Sequence, residues 1–116
     1  MSVQTPQAVD ACHELIVWMV GKLDQFPRAR RYTLGARIES LLLEVLECLL
    51  MATYSSGAER SRHLATANTK LDLLRHLWRV ALEVHAVQSK AHRHAADRMF
   101  DIGAQIGGWR KASASR

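Results

Sequence analysis

Residues 28–37 hold four arginines (Arg28, Arg30, Arg31 and Arg37), no acid, and one aromatic, Tyr32. A guanidinium is suited to two-point contact with phosphate, and an aromatic ring can stack on a base. The pattern therefore points to a polyanion. The alternative is structural, with these arginines pairing to Asp24, Glu39 and Glu44 or solvating a turn. Arg75 and Arg79 stand one helical turn apart on a polar arc. Arg60 and Arg62 open a helix, where cations oppose the helix dipole. Arg110 and Lys111 close one, where the dipole favours them.

Other chemistries are poorly represented. Six histidines invite a metal, but His92 and His94 are two residues apart and point to different helix faces. No His-Glu-x-x-His or Glu-x-x-His pair occurs, so the di-iron bundle signature is missing. His85 falls on an apolar seam and reads as a core histidine. There is no nucleophile elbow, no phosphate-cradling glycine loop and no paired carboxylate setting. No catalytic residue, metal or cofactor is expected. Gly103 and Gly107 have a spacing that serves close helix approach or helix termination.

Helices must position these residues. Four segments carry helical periodicity and none alternates in the manner of a strand. The first runs from about Thr5 to Gln25, with Val9, Cys12, Ile16, Met19, Leu23 and Phe26 on one face. Thr5 is its expected N-cap and Pro6 its first residue. After Phe26-Pro27, a second helix starts between Pro27 and Leu34 and ends near Tyr54. Its seam is Leu34, Ile38, Leu41, Val45 and Leu49. The third runs from about Glu59 to Val87 along Leu64, Ala67, Leu71, Leu74, Trp78, Ala81 and His85. The fourth runs from about Ser89 to Trp109 along Ala91, Ala95, Met99, Ile102 and Ile106. Short connections make neighbours antiparallel, which predicts an all-α, up-down-up-down four-helix bundle. Residues 1–111 form one domain and residues 112–116 a disordered polar tail.

Helices two and three carry more apolar surface than one seam requires. Leu42, Leu43, Leu46 and Leu50 add to one, and Leu73, Leu77, Val80 and Val84 to the other. Two stripes on a helix suggest burial on two sides, the second against another subunit; the alternative is a wide core stripe with some exposed leucines. The expected oligomer interface is Leu43, Leu46, Leu50, Leu73, Leu77, Val80 and Val84.

Composition bounds the rest. A chain of 116 residues, 48% hydrophobic and 23% charged, is one globular unit and not a disordered one. Its net charge of +5 is modest for a nucleic-acid binder taken alone. Cys12 and Cys48 lie in apolar helical patterns without metal spacing, as buried thiols of a reducing cytoplasm do. The first ten residues are polar and lack Lys and Arg, so no export signal is expected. Leu41 to Met51 is too short to span a bilayer and contains two glutamates.

The motifs then join. Phe26-Pro27-Arg28-Ala29-Arg30-Arg31-Tyr32-Thr33-Leu34-Gly35-Ala36-Arg37-Ile38-Glu39 resembles the FPR…R(F/Y)TLG.R(I/L)E signature of a small bacterial family. Its members are four-helix-bundle proteins first noted in intervening sequences of 23S ribosomal RNA genes. The family includes the accessory variability determinant (Avd) of diversity-generating retroelements. Asn68 to Arg75 is similar to its third-helix pattern N..L..LR, and Ile106-Gly107-Gly108-Trp109 to its closing (I/L)GGW. Trp18 precedes the signature, so the resemblance spans nearly the whole chain. It implies an up-down-up-down bundle assembled as a ring of five. Retroelement members are basic, bind the retroelement reverse transcriptase, associate with nucleic acid, and are needed for mutagenic cDNA synthesis from a template RNA. The intervening-sequence branch, the alternative, would be an oligomeric interaction protein without a nucleic-acid role. The basic charge and the Arg-rich signature favour the retroelement branch. Arg28, Arg31 and Arg37 match family positions. Arg75 closes the third-helix pattern, and with Arg30, Arg79, Arg110 and Lys111, which enter by charge, it joins them as a candidate RNA-, DNA- or partner-binding residue. A five-fold ring would bring the protomer charge of +5 to about +25.

Overall fold

The computed structural model describes residues 6–114. Helix α1 spans Gln7–Leu23. A single turn, α2 (Arg28–Arg30), runs through a π-helical turn (Arg31–Gly35) into α3 (Ala36–Thr53). Helices α4 (Gly57–Glu83) and α5 (Ser89–Ala114) follow. Each of the four long helices packs on two neighbours, α1 and α4 both lying between α3 and α5. The pairing is antiparallel throughout. Glu44 meets Lys70, Arg75 meets Met99, Arg60 meets Trp109, and Cys12 meets the Leu42 carbonyl. The bundle is 47 Å long and 25 × 22 Å across. A helix of 27 residues is about 40 Å long at 1.5 Å per residue, so α4 runs most of that length.

Helix ends are set by local chemistry. Pro6 is the N-cap of α1 rather than its first residue, and its carbonyl accepts from Val9 N (2.9 Å) and Asp10 N (3.2 Å). Thr5, the expected cap, lies outside the described residues. Pro27 repeats the device, accepting from Arg30 and Arg31. Its fixed φ starts a helix while its missing N–H removes nothing there. At Gly35 a Cβ would sit 3.4 Å from both the Arg30 carbonyl and the Phe26 ring. Glycine thus lets the widened π turn close onto Phe26. Helix α4 starts at Gly57 (φ 58°), two residues earlier than expected, because glycine accepts the left-handed entry.

The far end of α4 differs from the expectation in a consequential way. The helix stops at Glu83, and His85 is exposed with φ 62°. His85 N donates to Leu82 O (3.1 Å) and Ala86 N to Ala81 O (2.8 Å). This is a Schellman turn with histidine where glycine is usual. His85 is therefore no core histidine; its backbone is left-handed at a cost on the order of 1 kcal/mol. At the other terminus, α5 continues through Ala114, past Gly107 and Gly108, which neither end the helix nor face a close neighbour. Residues 112–114 extend the helix instead of forming a tail. Ser115 and Arg116 lie outside the described residues.

One apolar core runs through the bundle, and among the described residues it encloses no polar side chain. The predicted seams of α3, α4 and α5 are buried at Ile38, Leu41, Val45 and Leu49, from Leu64 to Ala81, and at Ala95, Met99, Ile102 and Ile106; Leu34 and Ala91 are half-buried at its edge. On α1 the core takes Leu15, and Ile16 is only half-buried. Both residues satisfy a 3–4 spacing from Cys12 and Met19, so the neighbouring helices choose between them. Leu42, expected on the outer stripe, is also in the core. Cys12 is fully buried, and burial pushes its thiol up to about 12, so it stays protonated. Cys48 is only partly buried. No helix among the described residues is long and apolar enough to cross a membrane.

Candidate nucleic-acid interface

The structure sorts the predicted cations into those that the fold consumes and those that it leaves free. Arg31 donates to Asp24 (Nη2–Oδ1 2.9 Å) and lies 5.5 Å from the Tyr32 ring centroid. Arg37 faces Glu44 at 3.7 Å. That carboxylate also accepts from Lys70 (2.7 Å) and Ser40 (2.8 Å). The Lys70 hydrogen bond, with that of Ser40, holds Glu44 below the usual carboxylate range. The structural alternative for the arginine cluster is thus realised at Asp24 and Glu44. Arg28 and Arg30 are exposed and make no ion pair among the described residues. They head the π turn beside the 70%-exposed Tyr32 ring.

Arg75 belongs to the fold. Its guanidinium donates to the Met99 carbonyl (3.2 Å) and Asp72 (3.4 Å), while its buried Nε has no hydrogen-bond partner. A Cβ on Gly103 would run into this guanidinium. The small residue on α5 therefore admits a side chain rather than a helix backbone. Among the described residues Arg79 pairs with Glu83 alone (3.0 Å), and its side chain is 73% exposed. Arg75→Glu should lower stability by about 2 kcal/mol, which is roughly 8 °C or more in Tm. Arg79→Glu should stay within about 0.5 kcal/mol. Thermal melts of the two single variants check this, and equal losses would overturn the distinction.

The cations do not form one patch on a protomer. Arg28, Arg30, Arg31 and Arg37 gather where α1 ends. Arg110 and Lys111, both exposed, lie at the C-terminal end of α5, beside the start of α1 and α4 and so at the opposite end of the bundle. Arg60, which opens α4 against its own dipole, is explained there. It donates to the last carbonyls of α3, Ala52 O (2.9 Å) and Thr53 O (3.5 Å), and covers the Trp109 ring. Sequence reasoning missed Lys22 and Lys90. They join the Arg28 end only through the α4–α5 turn, and each stands alone in the sequence. Among the described residues, no group of three or more His, Cys, Asp or Glu side chains is placed to hold a metal ion.

A family model described as bAvd-like matches residues 7–113. The chain belongs to the bAvd-like family. Among curated proteins none matches it. The fold explains much of the bAvd-like signature. Phe26 stacks on Trp78 (6.3 Å, 18°), Pro27 caps α2, Gly35 closes the π turn, and Ile38 is buried. Leu71 and Leu74 of the third-helix pattern are core residues, and its arginine is the Arg75 that rests on Gly103. In the closing pattern Ile106 is core and Trp109 carries Arg60. In this bAvd-like chain, the charged signature residues that pair with no described residue are Arg28 and Glu39, both exposed, and Arg30 stands beside Arg28.

Proposed function

We propose that this chain is a noncatalytic accessory protein of a diversity-generating retroelement. It binds the retroelement reverse transcriptase and holds template RNA or cDNA in the cytoplasm, supporting mutagenic cDNA synthesis without a cofactor of its own. The observation that carries this reading is the pair of unpaired arginines, Arg28 and Arg30, at one end of a bAvd-like bundle. Repetition in a ring turns such a modest patch into a strong polyanion site with steep salt dependence. RNA and DNA binding by the purified protein across a salt series is the test, with co-purification of the reverse transcriptase beside it. A folded protein that binds neither nucleic acid at low salt nor the polymerase would leave the oligomeric interaction protein of the other branch.

The outer face of α3 and α4 supports the ring. Leu43, Leu50, Leu73, Val80 and Val84 are each 38–47% exposed, and Leu46 and Leu77 are half-buried beside them. Leu41, Leu42, Val45, Leu71, Leu74 and Trp78 of the same helices already fill the core. These seven residues are the proposed contact between subunits, in a homopentamer. Light scattering is expected near 65 kDa, about five times the 13.1 kDa chain. Leu73→Glu with Val80→Glu should shift the mass to that of the single chain, since a buried unpaired carboxylate costs several kcal/mol. A monodisperse wild-type monomer would overturn the ring.

A further inference from the structure

The turn that holds His85 in its left-handed conformation also forms one wall of a cleft of about 620 Å³ between the end of α1 and the start of α5. Lys22, Lys90, His85 and His94 line it, together with Trp18, and no carboxylate does. The absence of acid distinguishes it from the adjoining cleft, in which Glu14 and Asp101 offset Arg98. The Lys22 ammonium lies 5.7 Å from the Trp18 ring centroid and donates to Gln25 (3.3 Å), so it is held at the cleft. Lys90 is exposed and has no described partner. Trp18 and His94 lie with their rings 4.7 Å apart, a tilted aromatic wall braced from behind by the buried Trp78.

Two lysines with no acid lining the cleft attract a phosphate, and the tilted Trp18 and His94 rings offer aromatic faces for a base. Amides of Gln25 and Gln88 at the rim can bond a base edge. A simple carboxylate ligand would leave the aromatic wall unused, and an apolar ligand would leave the lysines unanswered. We propose that this cleft is a nucleoside-phosphate site, with the phosphates between Lys22 and Lys90 and the base against Trp18 and His94. The ligand is either a free nucleotide or the 5′-phosphorylated end of a strand. Binding a mononucleotide would require neither the ring nor the reverse transcriptase. The site also differs in kind from the Arg28 and Arg30 patch, which would follow a backbone and hold no single nucleotide.

The test titrates the full chain with ATP, adenosine and inorganic phosphate, read by tryptophan fluorescence and calorimetry. ATP is expected to bind saturably, with adenosine and phosphate each at least roughly tenfold weaker, since each engages half of the site. Lys22→Glu with Lys90→Glu should weaken ATP by about tenfold or more while helix content is kept, as both side chains lie outside the core. Arg28→Glu with Arg30→Glu should weaken ATP less than the lysine variant does, because neither arginine lines the cleft. A 5′-phosphorylated oligonucleotide that outbinds its 5′-hydroxyl twin and is displaced by ATP identifies a strand end as the ligand. Equal binding of the two oligonucleotides, neither displaced by ATP, identifies a free nucleotide. The proposal is overturned by a lack of saturable ATP binding, by unchanged ATP affinity in the lysine variant, or by an equal loss in the arginine variant. It also falls if an oligoglutamate peptide displaces ATP as well as unlabelled ATP does, which would make the cleft a reader of charge alone.

Discussion

Replacing Arg28 and Arg30 together with glutamate should weaken binding of single-stranded RNA by about a hundredfold or more at low salt. A hydrogen bond between a guanidinium and a phosphate is worth about 1.5–3 kcal/mol, and two such contacts are lost per protomer. The salt dependence should flatten as well, by about 0.7 in the log–log slope for each phosphate contact removed. The bundle should not notice. Neither side chain pairs with a described residue, both are exposed, and α2 is capped by Pro27 rather than by them. Arg31→Glu makes the contrasting control, since it would set two carboxylates against each other at Asp24. Anisotropy of a labelled RNA between roughly 50 and 200 mM salt reads both quantities. Circular dichroism reads the fold. Unchanged RNA affinity in a folded double variant would remove the Arg28 end from the interface and leave the opposite end, with Arg110 and Lys111, as its site.

The second large effect is on stability. Trp78→Ala should destabilise the protein by about 4 kcal/mol. Trp78 is 1% exposed and is the hub of an aromatic cluster. Phe26 and His92 stack on it at 6.3 and 5.7 Å, and Trp18 meets its edge at 6.3 Å. Its indole N–H donates to the His92 carbonyl at 2.9 Å. The variant loses the buried ring area and the indole hydrogen bond, and leaves a cavity between α1, α4 and α5. Burial also holds the His92 imidazole below its ordinary value. Opening the cluster to water would relax that shift. Total stabilities of such domains are about 5–15 kcal/mol, so the loss takes a large share. Trp78→Phe keeps a ring and loses the hydrogen bond, and about 1–2 kcal/mol is expected there. Urea unfolding at matched protein concentration measures both, because subunit association contributes to stability. A Trp78→Ala loss below about 1.5 kcal/mol would mean that the cluster collapses around the gap.

Much of the fold was legible because helical period and core burial are linked. The α4 seam from Leu64 to Ala81 is buried as its 3–4 spacing requires. The family resemblance, too, was carried by residues in chain order, and the family match over residues 7–113 bears it out. What the period could not resolve was a choice between adjacent residues, as at Leu15 and Ile16, where either fits the stripe. Helix ends were less legible. His85 lies on the same 3–4 series as Trp78 and Ala81, so nothing in the spacing warned that the chain turns left-handed there. The turn is closed by backbone bonds to Ala81 and Leu82, which any sequence can make.

The sequence by itself determined an all-helical chain with four amphipathic segments, a surplus apolar stripe, a local excess of arginine and a family. These are properties of neighbours in the chain, and neighbours are what periodicity and motif report. The tertiary structure decided which charges remain to bind anything. Arg31 and Arg75 look as free as Arg28 in sequence, yet Asp24 and the Met99 carbonyl claim them from seven and 24 residues away. Conversely Lys22 and Lys90, unremarked where they stand, come to one cleft because α1 ends where α5 begins. A cation's availability depends on which acceptors approach it within a few ångströms, and in a bundle those acceptors come from other helices.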